Sequence, residues 1–421
     1  MVIMLLLLLF ITLTLANKKF WLITDTHFDD EFTVGSSSKC LAIDCCHSNS
    51  IPRKGQENFI SGSCGDYNCY SPLNVSESAF DYIAKHQSES KLIFWLMDVV
   101  PGDVITQSKE TNKKRIQLQV EALKKRLSGF RIYPVPGNHD YWLSSNWQYP
   151  PQNQWMLDFM GDLFKDWLSP NALEQFKKGG FYTELIDSGV RIIALYLAYV
   201  DVYGSHCNEY VENDPAGMMK WFNETLELAR KNGERVILLS HEGVGLKESG
   251  TIDVVPKFNE DFSYAMNEYS DIIISHLSGH SHFNSFRVLP NITKPTFHII
   301  MNPAMTSFKN LNPRFRLYEY DRKNIKDYTN YMLNINKCNK NNKFEWEIEY
   351  NAKELFGIEE YTTKNLKEFI EQLAVDDELW TKFDSHYSTI NRKCEGNCRK
   401  DLLCSIHCMK ESEFITCINQ K

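Results

Sequence analysis

The chain has 421 residues, of which 43% are hydrophobic, 13% aromatic and 24% charged. This balance is typical of a globular protein and excludes a disordered, collagen-like or coiled-coil chain. The formal net charge of −8 argues against a partner made of nucleic acid, because proteins that bind nucleic-acid polymers normally carry a basic excess or patch.

The chain begins with an uncharged, strongly apolar stretch. Residues 1–16 are too few to cross a bilayer, which takes about 20 residues. Thr14 and Ala16 are small residues suited to a signal-peptidase site, so we predict a signal peptide at 1–16. The alternative is an anchor that stays attached, since no basic residue precedes the apolar run. We therefore expect a secreted protein, located outside the cell or in a lysosome-like lumen.

Short apolar runs then alternate with helical periods. Buried strands are predicted at 20–24, 92–97, 132–135, 190–197, 236–240, 271–276, 296–301 and 315–320. Helices are predicted at 76–86, 115–127, 217–231 and 258–269. Residues 33–72, rich in cysteine, serine and glycine, are predicted to form a disulfide-pinned loop. This alternation predicts an α/β fold with buried central strands.

From about residue 337 the pattern changes. Helical periods at 363–373 and 378–386 are followed by a second group of cysteines. We therefore predict an α/β domain at 17–336 and a small helical, cysteine-rich subdomain at 337–421 that disulfides stabilise.

The chain carries 12 cysteines, although a core of this size does not need them for stability. Disulfides in an oxidising compartment explain them, and zinc binding at Cys394 and Cys398 is the alternative. Three Asn-X-Ser/Thr sequons fit the same compartment and predict glycosylation at Asn74, Asn223 and Asn291.

Polar clusters follow five apolar runs. They are Asp25-Thr26-His27, Asp98, Gly137-Asn138-His139-Asp140, His241, and Gly279-His280-Ser281-His282. Strand ends are where α/β folds place their sites, and these residue types suit divalent metals such as zinc or manganese. A single strand-end histidine is more often structural than a ligand. The joint occurrence of five clusters predicts a metal site.

The donor set suits two metal ions. Two cations about 3.5–4 Å apart need a bridging carboxylate and several further ligands. Asp25 and His27 project to the same side of an extended chain, so both can reach one metal. Two such ions would polarise a phosphate ester and lower the pKa of a bound water, which provides hydroxide near neutral pH. Asp140 is suited to orient the neighbouring His139 ring.

Together these motifs resemble those of the calcineurin-like metallophosphoesterases, in particular the acid sphingomyelinase-like phosphodiesterases. Gly179-Gly180-Phe181-Tyr182, Asp214-Pro215-Ala216-Gly217 and the terminal cysteine cluster resemble the same group. The likeness spans about residues 20–417. It implies two stacked mixed β-sheets flanked by helices, and a catalytic domain at 17–336.

The resemblance also implies two zinc ions and their ligands. One ion would take Asp25, His27, Asp98 and His282, and the second would share Asp98 with Asn138, His241 and His280. His139 would contact the substrate phosphate. The implied disulfides are Cys40–Cys45, Cys46–Cys69, Cys394–Cys398 and Cys404–Cys417, which leaves Cys64, Cys207, Cys338 and Cys408 without an assigned partner.

Two positions depart from the family's pattern. Met97 stands where the family has a glycine before the bridging aspartate, and Asp103 is the alternative to Asp98 as that ligand. Gly102 replaces a second histidine that contacts the substrate phosphate or protonates the leaving group. A positioned general acid contributes about 10²–10⁴-fold in rate. We therefore expect activated esters or nucleotide phosphoanhydrides to be favoured over sphingomyelin, unless Asp103 or His139 takes the missing role.

We predict a secreted binuclear-metal phosphodiesterase that hydrolyses sphingomyelin-like lipids or nucleotides with metal-activated hydroxide. The alternative is a catalytically weakened family member that acts as a secreted binding protein. The expected partner is a small phosphate ester, namely a phospholipid head group or a nucleotide. We further expect transient contact with a membrane surface and a monomeric protein. An aromatic group after residue 140 either lines the substrate cleft or packs in the core, which is favoured; it comprises Trp142, Trp147, Tyr149 and Trp155.

Overall fold

Apolar runs of the chain pair into two β-sheets. The structure is a computed structural model that describes residues 18–40, 45–102, 106–204, 214–290, 293–388 and 392–420. The predicted signal peptide, the sequon at Asn291, Cys207 and the alternative ligand Asp103 lie outside the described residues.

The first sheet contains the strand that begins the described chain. Its strands are β1 (Lys18–Ile23), β2 (Leu92–Trp95), β3 (Arg131–Pro134), β10 (Arg314–Tyr320), β11 (Ile325–Leu333) and β12 (Trp346–Asn351). Their order is β12-β11-β10-β1-β2-β3, with β1, β2 and β3 parallel and β10 antiparallel to β1. Because β1, β2 and β3 run in one direction, their following loops leave the sheet at the same edge.

The second sheet is also mixed. Its strands are β4 (Tyr182–Asp187), β5 (Val190–Ala194), β6 (Arg235–Leu239), β7 (Ile273–Ser278), β8 (Ser285–Leu289) and β9 (Phe297–Met301). Their order is β4-β5-β6-β7-β9-β8, in which β5, β6, β7 and β9 are parallel and the two edge strands are antiparallel to their neighbours. One cluster of buried hydrophobic side chains includes residues of both sheets. The predicted α/β class with two mixed sheets is confirmed.

Helices flank these sheets and supply most of the C-terminal part. They are α1 (Leu73–Lys85), α2 (Lys109–Arg126), α3 (Gln154–Phe164), α4 (Pro170–Gly179), α5 (Met218–Lys231), α6 (Pro256–Glu268), α7 (Ile335–Asn341), α8 (Ala352–Phe356), α9 (Thr363–Val375), α10 (Asp377–Tyr387), α11 (Asn397–His407) and α12 (Glu411–Asn419). Within the described residues, no helix is both long and apolar enough to cross a membrane.

Local chemistry explains where the elements differ from the predicted ones. Helix α2 begins at Lys109 instead of residue 115, because the Ser108 side chain accepts a hydrogen bond from the Thr111 backbone N–H and starts the helix. Strand β12, with the sequence WEIEYN, was not predicted because charged residues interrupt its apolar ones. It joins the first sheet, so the segment 337–421 contains a sheet strand in addition to helices.

A buried arginine connects the two sheets. Arg316 on β10 is 1% exposed, and its guanidinium donates to the Met301 carbonyl (3.1 Å) at the end of β9 and to Asn284 Oδ1 (2.7 Å) before β8. Its Nε donates to Asn330 Oδ1 (3.1 Å) on β11. Because a buried charge is stable only with such partners, these contacts hold the sheets in one relative position.

Five disulfides are present among the described cysteines. Four join the pairs that the resemblance implied: Cys40–Cys45, Cys46–Cys69, Cys394–Cys398 and Cys404–Cys417. The fifth joins Cys64 to Cys338, two residues that had no assigned partner, across 274 positions of sequence. Among the described cysteines, Cys408 is free and buried.

The long-range disulfide should stabilise the fold more than the shortest one. The entropy that a crosslink removes from the unfolded chain grows with loop length. Its contribution to the free energy of unfolding is about 6 kcal/mol for a loop as long as Cys64–Cys338 and about 2 kcal/mol for one as short as Cys394–Cys398. We expect Cys64→Ala/Cys338→Ala to lower the urea midpoint more than Cys394→Ala/Cys398→Ala does. Equal midpoints for the two double variants would contradict this ranking.

Two buried histidines on neighbouring strands should make stability depend on pH. Burial lowers the pKa of His276 to about 3 and that of His298 to about 4, against about 6.5 in an unfolded chain. The unfolded state therefore binds more protons, and stability is complete above pH 6.5 and falls below it, by about 1.4 kcal/mol per pH unit for each histidine.

Urea unfolding at pH 7.5 and pH 5.0 tests this dependence. We expect His298→Gln to reduce the loss of stability between these values by about 2 kcal/mol. The control is His86→Gln, outside the core, which should leave the loss unchanged. An unchanged loss in His298→Gln would show that this histidine is not the group that titrates.

Candidate metal centre

The five polar clusters lie at the carboxyl ends of parallel strands. Strands β1, β2 and β3 of the first sheet lead into the clusters at 25–27, 98 and 137–140, and strands β6 and β7 of the second sheet lead into those at 241 and 279–282. Backbone hydrogen bonds keep the neighbouring loops together: the Asp25 N–H donates to the Met97 carbonyl (2.7 Å) and the His27 N–H to the Asp98 carbonyl (3.1 Å). The tertiary fold thus brings the clusters to one place.

Five side chains, those of two aspartates and three histidines, form the core of this candidate metal site. Asp98 Oδ2 lies 3.2 Å from Nε2 of both His27 and His241. Asp25 Oδ1 lies 3.2 Å from His282 Nε2 and 3.7 Å from Nε2 of His27 and of His241. Two overlapping sets, each with ligand atoms within 4.8 Å of one another, could hold a metal ion; they are Asp25, His27, His282 and Asp25, Asp98, His241.

Backbone carbonyls orient two of the imidazole rings. His27 Nδ1 lies 2.7 Å from the Val100 carbonyl and His241 Nδ1 lies 2.8 Å from the Leu96 carbonyl. A carbonyl only accepts, so each Nδ1 carries the hydrogen, and in the neutral ring the Nε2 electron pair faces the carboxylates. In this arrangement the nitrogen that faces away from the carboxylates, Nδ1, donates to an acceptor, as is usual for metal-ligating histidines.

Unsatisfied buried atoms test whether these residues fit a cation. Asp25 Oδ1 and His241 Nε2 are fully buried, and neither has a hydrogen-bond partner among the described residues. The other oxygen, Asp25 Oδ2, accepts from Thr24 Oγ1 (2.7 Å) and from the His280 N–H (3.1 Å). A buried carboxylate oxygen without a partner is costly. A divalent cation would satisfy these atoms, so the site fits the predicted metal pair.

Asn138 and His280 lie beside this core. Asn138 Oδ1 is 3.0 Å from His280 Nδ1, a spacing that lets both atoms face one ion. His280 Nε2, on the far side of the ring, is 3.2 Å from Asp253 Oδ1. Asp253 is therefore placed to orient His280, as a carboxylate behind a metal-ligating histidine does.

Asp253 was missed by the sequence analysis. It is 3% exposed and lies in a loop before α6, where no strand or motif points to it. Burial alone would raise its pKa, but His280, Arg287 and Lys247 hold the pKa well below its ordinary value. Its carboxylate is thus anionic and lies 2.5 Å from Lys247 Nζ.

The predicted role of Asp140 as a partner of His139 is wrong. The Asp140 carboxylate instead accepts three backbone N–H groups, from Asp98 (3.0 Å), Val99 (2.8 Å) and Gly137 (2.8 Å). It therefore joins the loops after β2 and β3. Burial and then the Asp98 charge raise the Asp140 pKa to about 6. Adjacency in sequence misled the prediction, because the side chain at 140 turns away from the ring at 139.

A different chain of hydrogen bonds orients His139. Gln107 Nε2 donates to the Pro101 carbonyl (2.7 Å), so Gln107 Oε1 accepts from Ser144 Oγ (3.0 Å). The Ser144 oxygen then accepts from His139 Nδ1, 2.9 Å away. In the neutral ring, His139 Nε2 consequently carries an electron pair and no hydrogen. Burial lowers the pKa of His139 to about 3.

Charges in the core are complementary to a cation. Burial would raise the pKa of Asp25, but His241, His282 and His27 hold it far below its ordinary value. Burial would lower the pKa of His27, but Asp98 and Asp25 raise it to about 10. His241, His139 and His27 likewise hold the pKa of Asp98 well below its ordinary value against the effect of burial. Both carboxylates thus stay ionised over the physiological range, and a divalent cation would compete with the His27 proton for their negative charge.

The ligand loops take backbone conformations that favour glycine. Positive φ angles occur at Asp25 (52°), His27 (37°), Met97 (34°) and Asp98 (58°), as well as at the two histidines after β7. Met97 is also fully buried, and its left-handed φ is the conformation that glycine, which the resemblance leads us to expect there, adopts without steric cost. Gly137 permits the close approach of Asp98, because a Cβ at 137 would lie 2.5 Å from Asp98 Oδ1.

A cleft of about 820 Å³ opens over the core. His27, Asp98, Asn138, His139, His280 and His282 all border it. Two of the four aromatic residues predicted to lie in either the cleft or the core are buried: Trp147 is 2% and Tyr149 is 7% exposed. Trp147 also stacks on Tyr141, with ring centroids 4.5 Å apart. None of the four is among the described residues that line the cleft.

The two described sequon asparagines lie on helices. Asn74 Nδ2 donates to the Ser63 carbonyl (3.0 Å) and Asn223 Nδ2 to the Met219 carbonyl (2.9 Å). Their glycosylation stays a prediction.

Known proteins match the chain along its length. Residues 18–284 match the calcineurin-like phosphoesterases, and residues 285–421 match the acid sphingomyelin phosphodiesterase C-terminal region. The chain is 29% identical to sphingomyelinase phosphodiesterase C of Dictyostelium discoideum, over 97% of this chain and 94% of that one. It is 28% identical to cyclic GMP-AMP phosphodiesterase SMPDL3A of Bos taurus (96% and 91% covered) and 25% identical to acid sphingomyelinase-like phosphodiesterase 3b of Mus musculus (95% and 90% covered).

Metal analysis of the purified protein should find about two divalent ions per chain. We expect Asp98→Asn to reduce this to one or fewer, because Asp98 Oδ2 faces histidines of both sets. The matched control is Asp30→Asn, since Asp30 pairs with Arg115 (2.7 Å) outside the core and its loss should leave both ions. Two ions in Asp98→Asn would contradict a bridging role.

Proposed function

Because the chain belongs to the calcineurin-like phosphoesterase family, we propose that it is a binuclear-metal phosphodiesterase that hydrolyses small phosphate esters. The observation that carries this proposal is the convergence of five donors, four of them fully buried, from four different strand ends on one point at the base of a cleft. A structural ion pair would not need five such donors within so small a space, two of whose ligand atoms, Asp25 Oδ1 and His241 Nε2, have no hydrogen bond to any described residue.

We assign the ligands as the residues around that point. Asp25, His27, Asp98 and His282 would hold one cation, and Asn138, His241 and His280 would hold the second together with Asp98. We propose zinc, because histidine nitrogen and carboxylate oxygen suit it. When bound, two such cations polarise phosphoryl oxygens and lower the pKa of a water molecule.

The chain's own residues would bind and position the ester. Lys247 and Lys309 border the cleft and supply positive charge for an anionic phosphate, although Asp253 neutralises part of the charge of Lys247. His139 reaches the cleft through its Nε2, while its backbone N–H donates to Asp98 Oδ1 (2.8 Å). This bond ties the position of the His139 ring to that of the proposed bridging carboxylate.

For the substrate we propose a choline-type phospholipid head group or a nucleotide. Relatives named for sphingomyelin and for cyclic GMP-AMP cleavage each align with nearly the whole chain, so both classes remain candidates. We propose that the protein is secreted or lumenal, because its disulfides would form and persist in an oxidising compartment.

A substrate panel tests the activity. We expect metal-dependent turnover that is lost on chelation and restored by zinc. A bis-nitrophenyl phosphodiester should be cleaved at least about 10-fold faster than sphingomyelin, because a nitrophenolate leaves without a proton and no imidazole stands at Gly102. The initial rate with ATP should be similar to that with the nitrophenyl ester. The measurement is initial rates at pH 5 and pH 7.5.

Two outcomes would contradict the proposal. Sphingomyelin cleaved as fast as the nitrophenyl ester would exclude the preference for activated leaving groups. Retention of two metal ions together with no turnover of any ester would favour the alternative function, a secreted binding protein. His282→Ala serves as the control for contaminating phosphatases, because it removes a proposed ligand and should abolish the rate.

A further inference from the structure

The space beside Gly102 is occupied by a phenol. A Cβ built on Gly102 would lie 2.9 Å from the Tyr70 hydroxyl oxygen, 3.0 Å from His139 Cε1 and 3.4 Å from His139 Nε2. The Tyr70 hydroxyl and the reactive nitrogen of His139 therefore border the same small volume. This is the volume that a histidine side chain at position 102 would enter.

We propose that Tyr70 is a catalytic residue, whose hydroxyl contacts the substrate phosphate and protonates the leaving group in place of the histidine that Gly102 replaces. The proposal rests on the proposed function, because it concerns the same reaction in the same cleft. It adds a residue from the cysteine-rich loop, which carries none of the proposed metal ligands.

The surroundings of Tyr70 hold it rigidly next to the metal centre. Cys69, its neighbour, is bonded to Cys46, and the Cys69 carbonyl accepts from Ser307 Oγ (3.3 Å). On the other side, the Ser71 carbonyl accepts from the Asp29 N–H (2.8 Å), two residues after His27. A donor fixed in this way needs little reorganisation during the reaction.

Ring packing orients the phenol into the cleft. The Tyr70 ring lies against Phe308, with centroids 4.2 Å apart, and its centroid is 5.9 Å from that of His27. Tyr70 is 9% exposed and borders the cleft along with Gly102 and His139. The ring is thus packed in an apolar contact while its hydroxyl reaches the reacting volume, an arrangement suited to an amphipathic side chain.

The hydrogen bonds of His139 leave the donor role to another group. Ser144 accepts the hydrogen on His139 Nδ1, so a neutral His139 presents an electron pair at Nε2 and accepts there. A phenol hydroxyl carries a hydrogen that it can donate. Of the two groups that border this volume, Tyr70 therefore offers a hydrogen, and His139 Nε2 offers an electron pair.

In the proposed step, one phosphorus–oxygen bond replaces another. A water oxygen forms a bond to phosphorus, and the bond from phosphorus to the leaving oxygen breaks with its electron pair on that oxygen. The Tyr70 proton moves to the leaving oxygen, which departs as an alcohol. One hydrogen of the attacking water stays on the new P–OH group, and the other returns to the phenolate and restores the Tyr70 hydroxyl. A phenol can protonate an alkoxide because alcohols are weaker acids. A nitrophenolate leaves without needing the proton.

The dependence on the leaving group supplies the test. The probes are the nitrophenyl and methyl esters of thymidine monophosphate, and the same two esters of phosphocholine. Within each pair the same phosphoryl group is transferred to water, and only the leaving group differs. We expect Tyr70→Phe to reduce kcat for the methyl ester by about 10²-fold, and kcat for the nitrophenyl ester less than about 3-fold.

A matched control separates chemistry from folding. Tyr67→Phe removes a phenol hydroxyl from the same loop, where Tyr67 donates to Asn312 Oδ1 (3.0 Å) away from the cleft. We expect it to leave the ratio of methyl-ester to nitrophenyl-ester rates unchanged. Metal analysis should find two ions in both variants.

A second variant tests the same space from the other side. Gly102→His alone would bring its Cβ against the Tyr70 hydroxyl, whereas Gly102→His/Tyr70→Phe removes the oxygen that is 2.9 Å away. We expect the double variant to recover at least about 10-fold of the methyl-ester rate that Tyr70→Phe loses.

Three results would overturn the inference. Equal losses for the methyl and nitrophenyl esters in Tyr70→Phe would show a structural role only, and unchanged rates for both would show no role. Wild-type protein that cleaves none of the four esters with metal bound would overturn the proposed function, and this inference along with it. The first two results leave the proposed function standing, because the wild-type protein remains active.

Discussion

The rest of the structure depends on one constraint at the centre of the site. Oxygen and nitrogen atoms of its aspartates and histidines are buried there without a hydrogen-bond partner in the described part of the chain. Asp25 Oδ1 and His241 Nε2 are buried and have no hydrogen bond among the described residues. Asp98 Oδ2 lies 3.2 Å from Nε2 of both His27 and His241. Two ionised carboxylates in such a place are costly without a compensating positive charge. The pKa values of His27 and His241 are raised in response, and the same donor atoms could hold a divalent cation.

That arrangement requires strain, and the scaffold supports it. Several ligand residues have φ angles that favour glycine, a conformation that costs about 1–3 kcal/mol at each non-glycine residue. The two sheets are held together by the buried Arg316, and the cysteine-rich loop is attached to the body of the protein by Cys64–Cys338. A rigid frame allows the strained loops to keep their geometry, because the energy is distributed over many contacts. The same rigidity fixes Tyr70 beside Gly102.

Much of the fold and the site was predictable from sequence, because the strongest signals are local. The buried strands before Asp25, Asp98 and His241 are short apolar runs that end at a polar residue, and the structure has strands there. Contacts between distant segments were not predictable. Cys64 and Cys338 are 274 positions apart, and the link from Asp253 to His280 joins two loops with no shared motif. The role of Asp140 was predicted from adjacency, which does not determine where a side chain points.

The sequence by itself determined the residue types at the strand ends, the compartment that the cysteines suit and the α/β class, because each follows from spacing and composition along one stretch of chain. Only the tertiary structure decided which donors meet, which nitrogen of each imidazole carries the hydrogen, and what stands beside Gly102. Those outcomes depend on distances between loops that leave different strands, and such distances are set by the packing of two sheets. The resemblance marks Gly102 as the position of a missing histidine, and the folded protein shows that the Tyr70 hydroxyl oxygen lies 2.9 Å from a Cβ built there.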